Sequence, residues 1–144
     1  MRKGLLNGLL DNMENKIYWD ELFKIRIANS DESFQKHEIV KLLLVMKLIE
    51  KNRKDKNFIR IYTEFNLDND LKCDVYFENA RSKEVIIYEI QKNYTDEWIK
   101  DRTNKYKDYE VPFMKSTNWI PIPLKKLSND IEEINRQLEE YIFI

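Results

Sequence analysis

Apolar residues between positions 33 and 57 recur every three or four residues, which is the spacing of an amphipathic helix. The apolar positions are Ile39, Leu42, Leu43, Met46 and Ile49. Potential capping residues at positions 29–33 mark the start of the helix. A run of lysine and arginine follows the apolar pattern and marks its end, where cations interact favourably with the negative end of the helix dipole. The pattern predicts one long helix.

Three strand-like segments follow at 58–67, 71–79 and 84–92, all rich in β-branched and aromatic residues. The connections at 68–70 and 80–83 have hairpin length. The three segments are therefore expected to form an antiparallel meander.

The remainder of the chain predicts a helix capped by Thr95 or Asp96, a strand, and a last helix starting at Ser128 or Asn129. Two prolines confine that strand to a sheet edge or to its own ends. The expected fold class is α/β, with a mixed sheet of about four or five strands flanked by helices. Its order is helix, three-strand antiparallel meander, helix, strand, helix.

The N-terminal segment has a pattern of its own. Leucines at 5, 6, 9 and 10 predict a short amphipathic helix that needs a partner surface, whereas 17–27 is ambiguous between strand and helix. Two regions result: residues 1–32 form an extension packed on the core or in a dimer contact, and 33–144 form the main domain.

Composition narrows the class of protein. The chain has 144 residues, 35% of them charged, and a single cysteine, Cys73, which rules out an internal disulfide framework or a Cys-rich zinc site. Cys73 is expected to be buried and inert. With no signal peptide and no membrane span in the pattern, the protein is expected to be cytoplasmic. The net charge of −1 means that any basic surface must be local.

Candidate chemistry comes from the meander. If the first hairpin has a three-residue loop at 68–70, Glu64 faces Asp74, and if the second is centred between Arg81 and Ser82, Asp74 faces Glu89. Three carboxylates then stand side by side on one face, and like charges so placed destabilise a sheet unless they share protons, splay apart or hold a cation. The alternative is an ordinary solvent face of the sheet.

A hard divalent ion such as Mg²⁺ or Mn²⁺ prefers oxygen ligands of this kind, and it promotes phosphodiester hydrolysis by polarising the phosphoryl group and activating water. Gln91 lies on the same face as Glu89, opposite Lys72 in the same register. A lysine there would stabilise developing phosphoryl charge, whereas the glutamine only forms hydrogen bonds.

Asp74 is followed, after a spacing of fourteen residues, by Glu89-Ile90-Gln91, and a leading and a trailing helix flank this segment. This pattern resembles the PD-(D/E)xK nuclease superfamily. The similarity is greatest to its ExQ variant, found in the CoiA-like nuclease domain of competence proteins and in related archaeal, viral and plasmid nucleases. The resemblance covers roughly residues 37–109. Cys73 stands where such proteins often have proline, and Gln91 replaces the usual lysine.

The resemblance implies a restriction-endonuclease-like core in which Asp74 and Glu89 hold Mg²⁺ or Mn²⁺ and Glu64 or Glu38 completes the acidic shell around the metal. Gln91 and Lys72 complete the catalytic group, and Lys72 or Lys41 takes over the role of the missing lysine. The leading helix offers His37, Glu38 and Lys41 to the site, although a structural role for the lone histidine is the simpler interpretation. Nucleic acid would contact Arg102, Lys105 and Tyr106, with a core position as the alternative for Tyr106.

The expected function is metal-dependent hydrolysis of phosphodiester bonds in nucleic acid, DNA rather than RNA, with no membrane partner and with a homodimer left open. One alternative is a nucleic-acid-binding module that keeps the fold without catalysis. Another is a non-enzymatic assembly protein whose acidic residues are merely surface.

Overall fold

The computed structural model describes residues 23–24 and 32–142, which form an α/β fold with a mixed, open sheet. Its helices are α1 (Glu32–Lys51), α2 (Asp96–Tyr106) and α3 (Ile131–Gln137), and short 3-10 helices span Arg53–Asp55, Leu124–Lys126 and Leu138–Tyr141. The strands are β1 (Phe23–Lys24), β2 (Ile59–Asn66), β3 (Lys72–Asn79), β4 (Glu84–Gln91) and β5 (Ser116–Pro123). The predicted helix at 4–13 lies outside the described residues.

The predicted order of elements is confirmed. Strands β2, β3 and β4 form the antiparallel meander, and they lie in the sheet in the order β1-β2-β3-β4-β5. The outer strands β1 and β5 both run parallel to their neighbours. As its two prolines predict, β5 is an edge strand, and Pro123 is its last residue.

Both hairpin registers are also confirmed. Thr63 pairs with Val75 and Phe65 with Cys73, so Glu64 and Asp74 fall opposite each other. In the second hairpin Val75 pairs with Tyr88, which brings the next position, Asp74, alongside Glu89.

The first hairpin is fixed by its turn. The Leu67 amide donates to the Leu71 carbonyl over 2.7 Å, and the Asn69 side chain accepts the Leu71 N–H over 3.1 Å. Asp70 takes the left-handed conformation, with a φ of 65°, that the third position of such a loop requires. Aspartate tolerates this conformation better than most residues, so the turn chemistry sets the register.

Two hydrophobic core clusters lie on opposite faces of the sheet. The first joins α1 and α3 to the sheet, and its members include Val40, Leu44, Leu48, Val75, Phe77, Tyr88, Ile134 and Leu138. The second lies under α2 and includes Tyr106, Cys73, Tyr76, Val85 and Ile87. Cys73 is therefore buried, and burial raises the pKa of its thiol to about 12, so it is inert as predicted.

Helix starts follow local capping. The Thr95 hydroxyl accepts the Trp98 N–H over 3.1 Å, as one of the two predicted caps of α2. The start predicted for α3 is wrong, because the cap is Asp130, which accepts the Glu133 N–H over 3.1 Å. Ser128 instead accepts the Asp130 N–H, and so stabilises the turn before the helix.

Across the described residues, no helix is both long and apolar enough to cross a membrane.

Replacing Asp130 by alanine removes the side-chain acceptor at the start of α3. We expect Asp130→Ala to lower the free energy of unfolding by about 1 kcal/mol, measured by urea denaturation. The matched control is Asn129→Ala, which removes the neighbouring polar side chain and is expected to have little effect. If Asn129→Ala lowered the free energy of unfolding more than Asp130→Ala, the cap of α3 would be Asn129, one of the two starts that the sequence predicts.

Candidate active site

The site is built on a fork between two neighbouring strands. Backbone pairing of β3 with β4 ends at Val75 and Tyr88. Beyond this point β3 stays paired with β2 as far as Lys72, while β4 stays paired with β5 as far as Gln91. We call the opening between residues 72–74 and 89–91 the fork.

Asp74 lies at the base of the fork. One of its carboxylate oxygens accepts the backbone N–H of Ile90 over 2.6 Å, so the side chain joins the strands where backbone pairing has stopped. The other oxygen lies 3.2 Å from Nε2 of His37 on α1. Asp74 thus contacts β4 and the leading helix at once.

Glu89 lies across the fork and is buried, with 6% of its surface exposed. Its carboxylate accepts the Trp119 indole N–H over 3.1 Å and lies 3.4 Å from Nε of Arg102. Burial raises the pKa of Glu89 to about 7, because the effect of desolvation, reinforced by the charge of Asp74, exceeds the opposing effects of Arg102 and Trp119. A carboxyl group perturbed in this way is typical of functional sites.

Glu64 occupies a strained position in β2. Its φ of 54° is in the left-handed region, which is unfavourable for a residue other than glycine and is often found at functional sites. Lys41 and Lys72 lie 3.1 and 2.9 Å from its two carboxylate oxygens. Burial alone would raise the pKa of Glu64, but hydrogen bonds to Lys72 and Lys41 and their charges lower it.

The prediction that the three carboxylates share one face is wrong, although the registers behind it are right. Glu64 and Asp74 contact side chains of α1, whereas Glu89 contacts α2 and β5. The cause is a break in strand alternation in both β2, at the Glu64 kink, and β3, where Cys73 packs on the α2 side and Val75 on the α1 side. Ile61 packs on the α1 side and Phe65 packs on the α2 side, although four residues separate them and a regular strand would keep both on one face.

Helix α1, the leading helix, supplies three polar and charged side chains to its own side of the fork. Lys41 is only 1% exposed and lies 2.6 Å from Glu38 as well as beside Glu64. His37 lies between Asp74 and Glu38, 3.3 Å from the latter. Burial would lower the pKa of His37, but the hydrogen bonds and charges of Asp74 and Glu38 raise it. All three residues proposed for this helix therefore reach the site.

The other predicted residues divide between the site and its surroundings. The Gln91 amide donates to the Asn93 carbonyl over 3.1 Å and so turns toward its own loop. Arg102 stacks on Trp98 and pairs with Glu89, while Lys105 pairs with Asp101 on the helix surface. Tyr106 is buried and stacks on Trp119 with ring centroids 5.1 Å apart, which matches the core alternative and leaves its ring unavailable to a bound strand.

Two contacts at the fork go beyond what the sequence predicts. No pattern in the sequence assigns Trp119 to the site, yet its indole N–H holds Glu89. The backbone amide of Ile90 holds Asp74. Both depend on how β5 and the end of β4 are placed, which no local sequence signal specifies.

Each carboxylate at the fork has a basic side chain against it, so their mutual repulsion is relieved within the protein. In the described part of the chain, no three His, Cys, Asp or Glu side chains converge into a complete metal-binding group. Mg²⁺ needs fewer protein ligands than that, since it commonly binds one or two carboxylates together with water and substrate phosphate. Asp74 and Glu89 are hard oxygen donors of this kind, but their protein partners lie on opposite faces of the sheet. An ion bound by both would therefore lie in the opening between β3 and β4.

Comparisons of the chain with family models, with curated proteins and with solved structures give no match. Its function has to be inferred from its own geometry and chemistry.

The buried Glu89 should make stability depend on pH. A carboxyl group whose pKa is raised in the folded state stabilises the fold below its ordinary pKa of 4.5, and this contribution is lost as the pH rises through about 7. In EDTA, Glu89→Gln is therefore expected to raise the free energy of unfolding at about pH 8 by on the order of 3 kcal/mol, and to change it little near pH 4.

The measurement is urea denaturation at both pH values. The control is Glu84→Gln, which makes the same chemical change at the start of the same strand, away from the fork. A gain of equal size at both pH values would show that ionisation of Glu89 is not its cause.

Proposed function

We propose that the chain is a divalent-metal-dependent nuclease of the PD-(D/E)xK kind, which hydrolyses phosphodiester bonds of nucleic acid, DNA in preference to RNA. The observation that carries the proposal is the fork: Asp74 and the buried Glu89 flank the opening between β3 and β4, and the charge of Asp74 helps to raise the pKa of Glu89. Helix α1 borders it on one side and α2 on the other.

The fold supports the same class of protein. A leading helix, an antiparallel meander, a second helix and a strand parallel to the last meander strand form the order expected of a restriction-endonuclease-like core. In that arrangement, the acid of the second meander strand and the ExQ or ExK pair of the third lie at one end of the sheet. Asp74 and Glu89-Ile90-Gln91 occupy these positions.

Asp74 and Glu89 would hold the Mg²⁺ or Mn²⁺ ion. The bound ion would polarise a phosphoryl oxygen and lower the pKa of a coordinated water. Arg102 and Trp119 orient the Glu89 carboxylate, and the Ile90 amide and His37 orient that of Asp74. These contacts restrict the rotation of both side chains.

We assign the positive charge that Gln91 lacks to Lys41. Its ammonium group is buried and held between Glu38 and Glu64, so its position is fixed and screened from water. Lys72 also contacts Glu64, but its side chain is 58% exposed and therefore less constrained. Glu64, with both oxygens against lysines, positions these cations and does not serve as a metal ligand.

The proposal is tested by cleavage of labelled single-stranded, duplex and branched DNA, and of RNA, in Mg²⁺, Mn²⁺ or EDTA. We expect metal-dependent cutting that Asp74→Asn reduces by at least about a hundredfold, because the carboxylate ligand is removed. Glu84→Gln, on β4 but away from the fork, is the matched control and should cut like the wild type. Cutting that survives Asp74→Asn would contradict the assignment.

One rival function has specific support. Gln91 carries no charge, and every carboxylate of the fork already pairs with a basic group, which suits a nucleic-acid-binding module without catalysis. Such a module binds DNA in EDTA but does not cut it in any metal. The assembly-protein alternative predicts neither cutting nor salt-sensitive binding of DNA.

The role of Lys41 gives a separate prediction. Lys41→Met should lower the cleavage rate by about a hundredfold or more, because a preorganised positive charge is removed. It should also destabilise the protein by about 3 to 5 kcal/mol, since Glu38 and Glu64 lose their partner. Cleavage rates are therefore compared at a temperature where circular dichroism shows each variant folded.

Lys41→Arg keeps the charge and should recover part of the activity. Lys72→Met, the matched surface variant, should lower the rate less than about tenfold. If Lys72→Met caused the larger loss in folded protein, the role would belong to Lys72.

A further inference from the structure

The end of the sheet farthest from the fork is formed by three separate segments, 53–58, 80–83 and 113–115. The Ala80 amide donates to the Phe58 carbonyl over 2.9 Å, and the Lys115 amide donates to the Lys83 carbonyl over 2.7 Å. These bonds join the segments into one continuous surface, which we call the turn end. Glu89 lies five residues along β4 from Glu84, so roughly 16 Å separates this surface from the fork.

The turn end is strongly cationic, although the whole chain has a net charge of −1. Exposed basic residues come from all three segments: Arg53, Lys54, Lys56, Arg81, Lys83 and Lys115. Asp55 is the one acid in these segments, and both its oxygens are engaged, by Arg81 at 3.0 Å and by Asn79 at 3.1 Å. Within the described residues, Lys56, Lys83 and Lys115 form no salt bridge, so their charges remain available.

An aromatic side chain projects from the same surface. Phe113 is 96% exposed, and its φ of 70° lies in the left-handed region, which is unfavourable for a bulky residue. Its neighbours Val111 and Met114 pack against the α2-side core, so the loop is anchored on both sides of the exposed ring. Phe58, on the first segment, is 45% exposed. The backbone of Phe113 belongs to the turn in which the Met114 amide donates to the Val111 carbonyl over 3.2 Å. The exposed ring, by contrast, adds nothing to the packing of the core, which indicates a binding role.

We propose that the turn end is a binding surface for single-stranded nucleic acid. Lys83 and Lys115 contact backbone phosphates, and Phe113 stacks on an unpaired base. Cations that follow the backbone, combined with aromatic rings that stack on bases, are the means by which proteins bind single strands without sequence preference. A duplex offers no free base face to Phe113, so single strands are preferred.

A lipid surface is the less suitable partner. Amphipathic membrane binding needs a continuous apolar face, whereas charged residues separate Phe58 from Phe113 on the turn end. Binding here is independent of the proposed cleavage, because it uses no residue of the fork and no metal.

The test is fluorescence anisotropy of a labelled oligo(dT) strand of about twenty nucleotides in EDTA, with the full chain. Phe113→Ala is expected to weaken binding about tenfold, and Phe113→Trp to preserve it, because the ring supplies the stacking. Lys115→Glu should also weaken binding about tenfold or more, and it should lower the salt dependence of log K by about 0.7 for each phosphate that the protein no longer neutralises. Arg136→Glu, an equal charge reversal on the exposed face of α3, is the control and should bind like the wild type.

Equal affinity of Phe113→Ala, Lys115→Glu and wild type for oligo(dT) would overturn the proposal. It would also be overturned if these variants kept oligo(dT) binding but no longer bound phosphatidylserine-containing vesicles. The two proposals fail separately: oligo(dT) binding by Phe113→Ala and Lys115→Glu in EDTA tests the turn end, whereas metal-dependent cutting tests the fork. Thermal unfolding by circular dichroism establishes that each compared variant is folded.

Discussion

The compensation of buried negative charge is the constraint on which the fork depends. Glu89 is buried beside Asp74, and the second hairpin could not hold two uncompensated carboxylates at adjacent positions. Each acid has its own pair of partners. Arg102 and Trp119 contact Glu89, and His37 and the Ile90 amide contact Asp74. These partners come from helices and a strand on both faces of the sheet, so the site exists only when the whole domain is assembled.

The two core clusters explain how those partners reach the fork. Helix α1 packs on one face through Val40, Leu44 and Leu48, and this packing brings His37 and Lys41, from the same helix, against the sheet. Helix α2 packs on the other face through Tyr106, one turn from Arg102, and Tyr106 also stacks on Trp119. The apolar residue thus fixes the helix, and its polar neighbour reaches the acid. Tyr106 contributes to the site through this packing, without touching a substrate.

Much of the fold follows from short-range signals in the sequence. Loop length and turn residues such as Asp70 determine the hairpin registers, so the alignment of Asp74 with Glu64 and with Glu89 follows from the order of residues alone. The faces on which the side chains lie do not follow from it, because strand alternation breaks at the left-handed backbone of Glu64 and between Cys73 and Val75. Nothing in the local sequence signals either break. Long-range partners such as Trp119 are inaccessible to sequence reasoning for a similar reason: the register of a parallel strand is set by tertiary packing across a helical connection.

The geometry of the sheet also explains why one end opens and the other closes. At the turn end, β3 and β4 are joined by residues 80–83 and must stay paired, so only side chains such as Lys83 and Phe113 project from it. At the fork the same two strands are free to separate, since β2 and β5 supply alternative backbone partners as far as Lys72 and Gln91. The edge strand β5 is therefore part of the site even where it contributes no acid. Without its pairing to the end of β4, residues 89–91 would have no backbone partner on either side, and the Trp119 indole of β5 would no longer hold the carboxylate of Glu89.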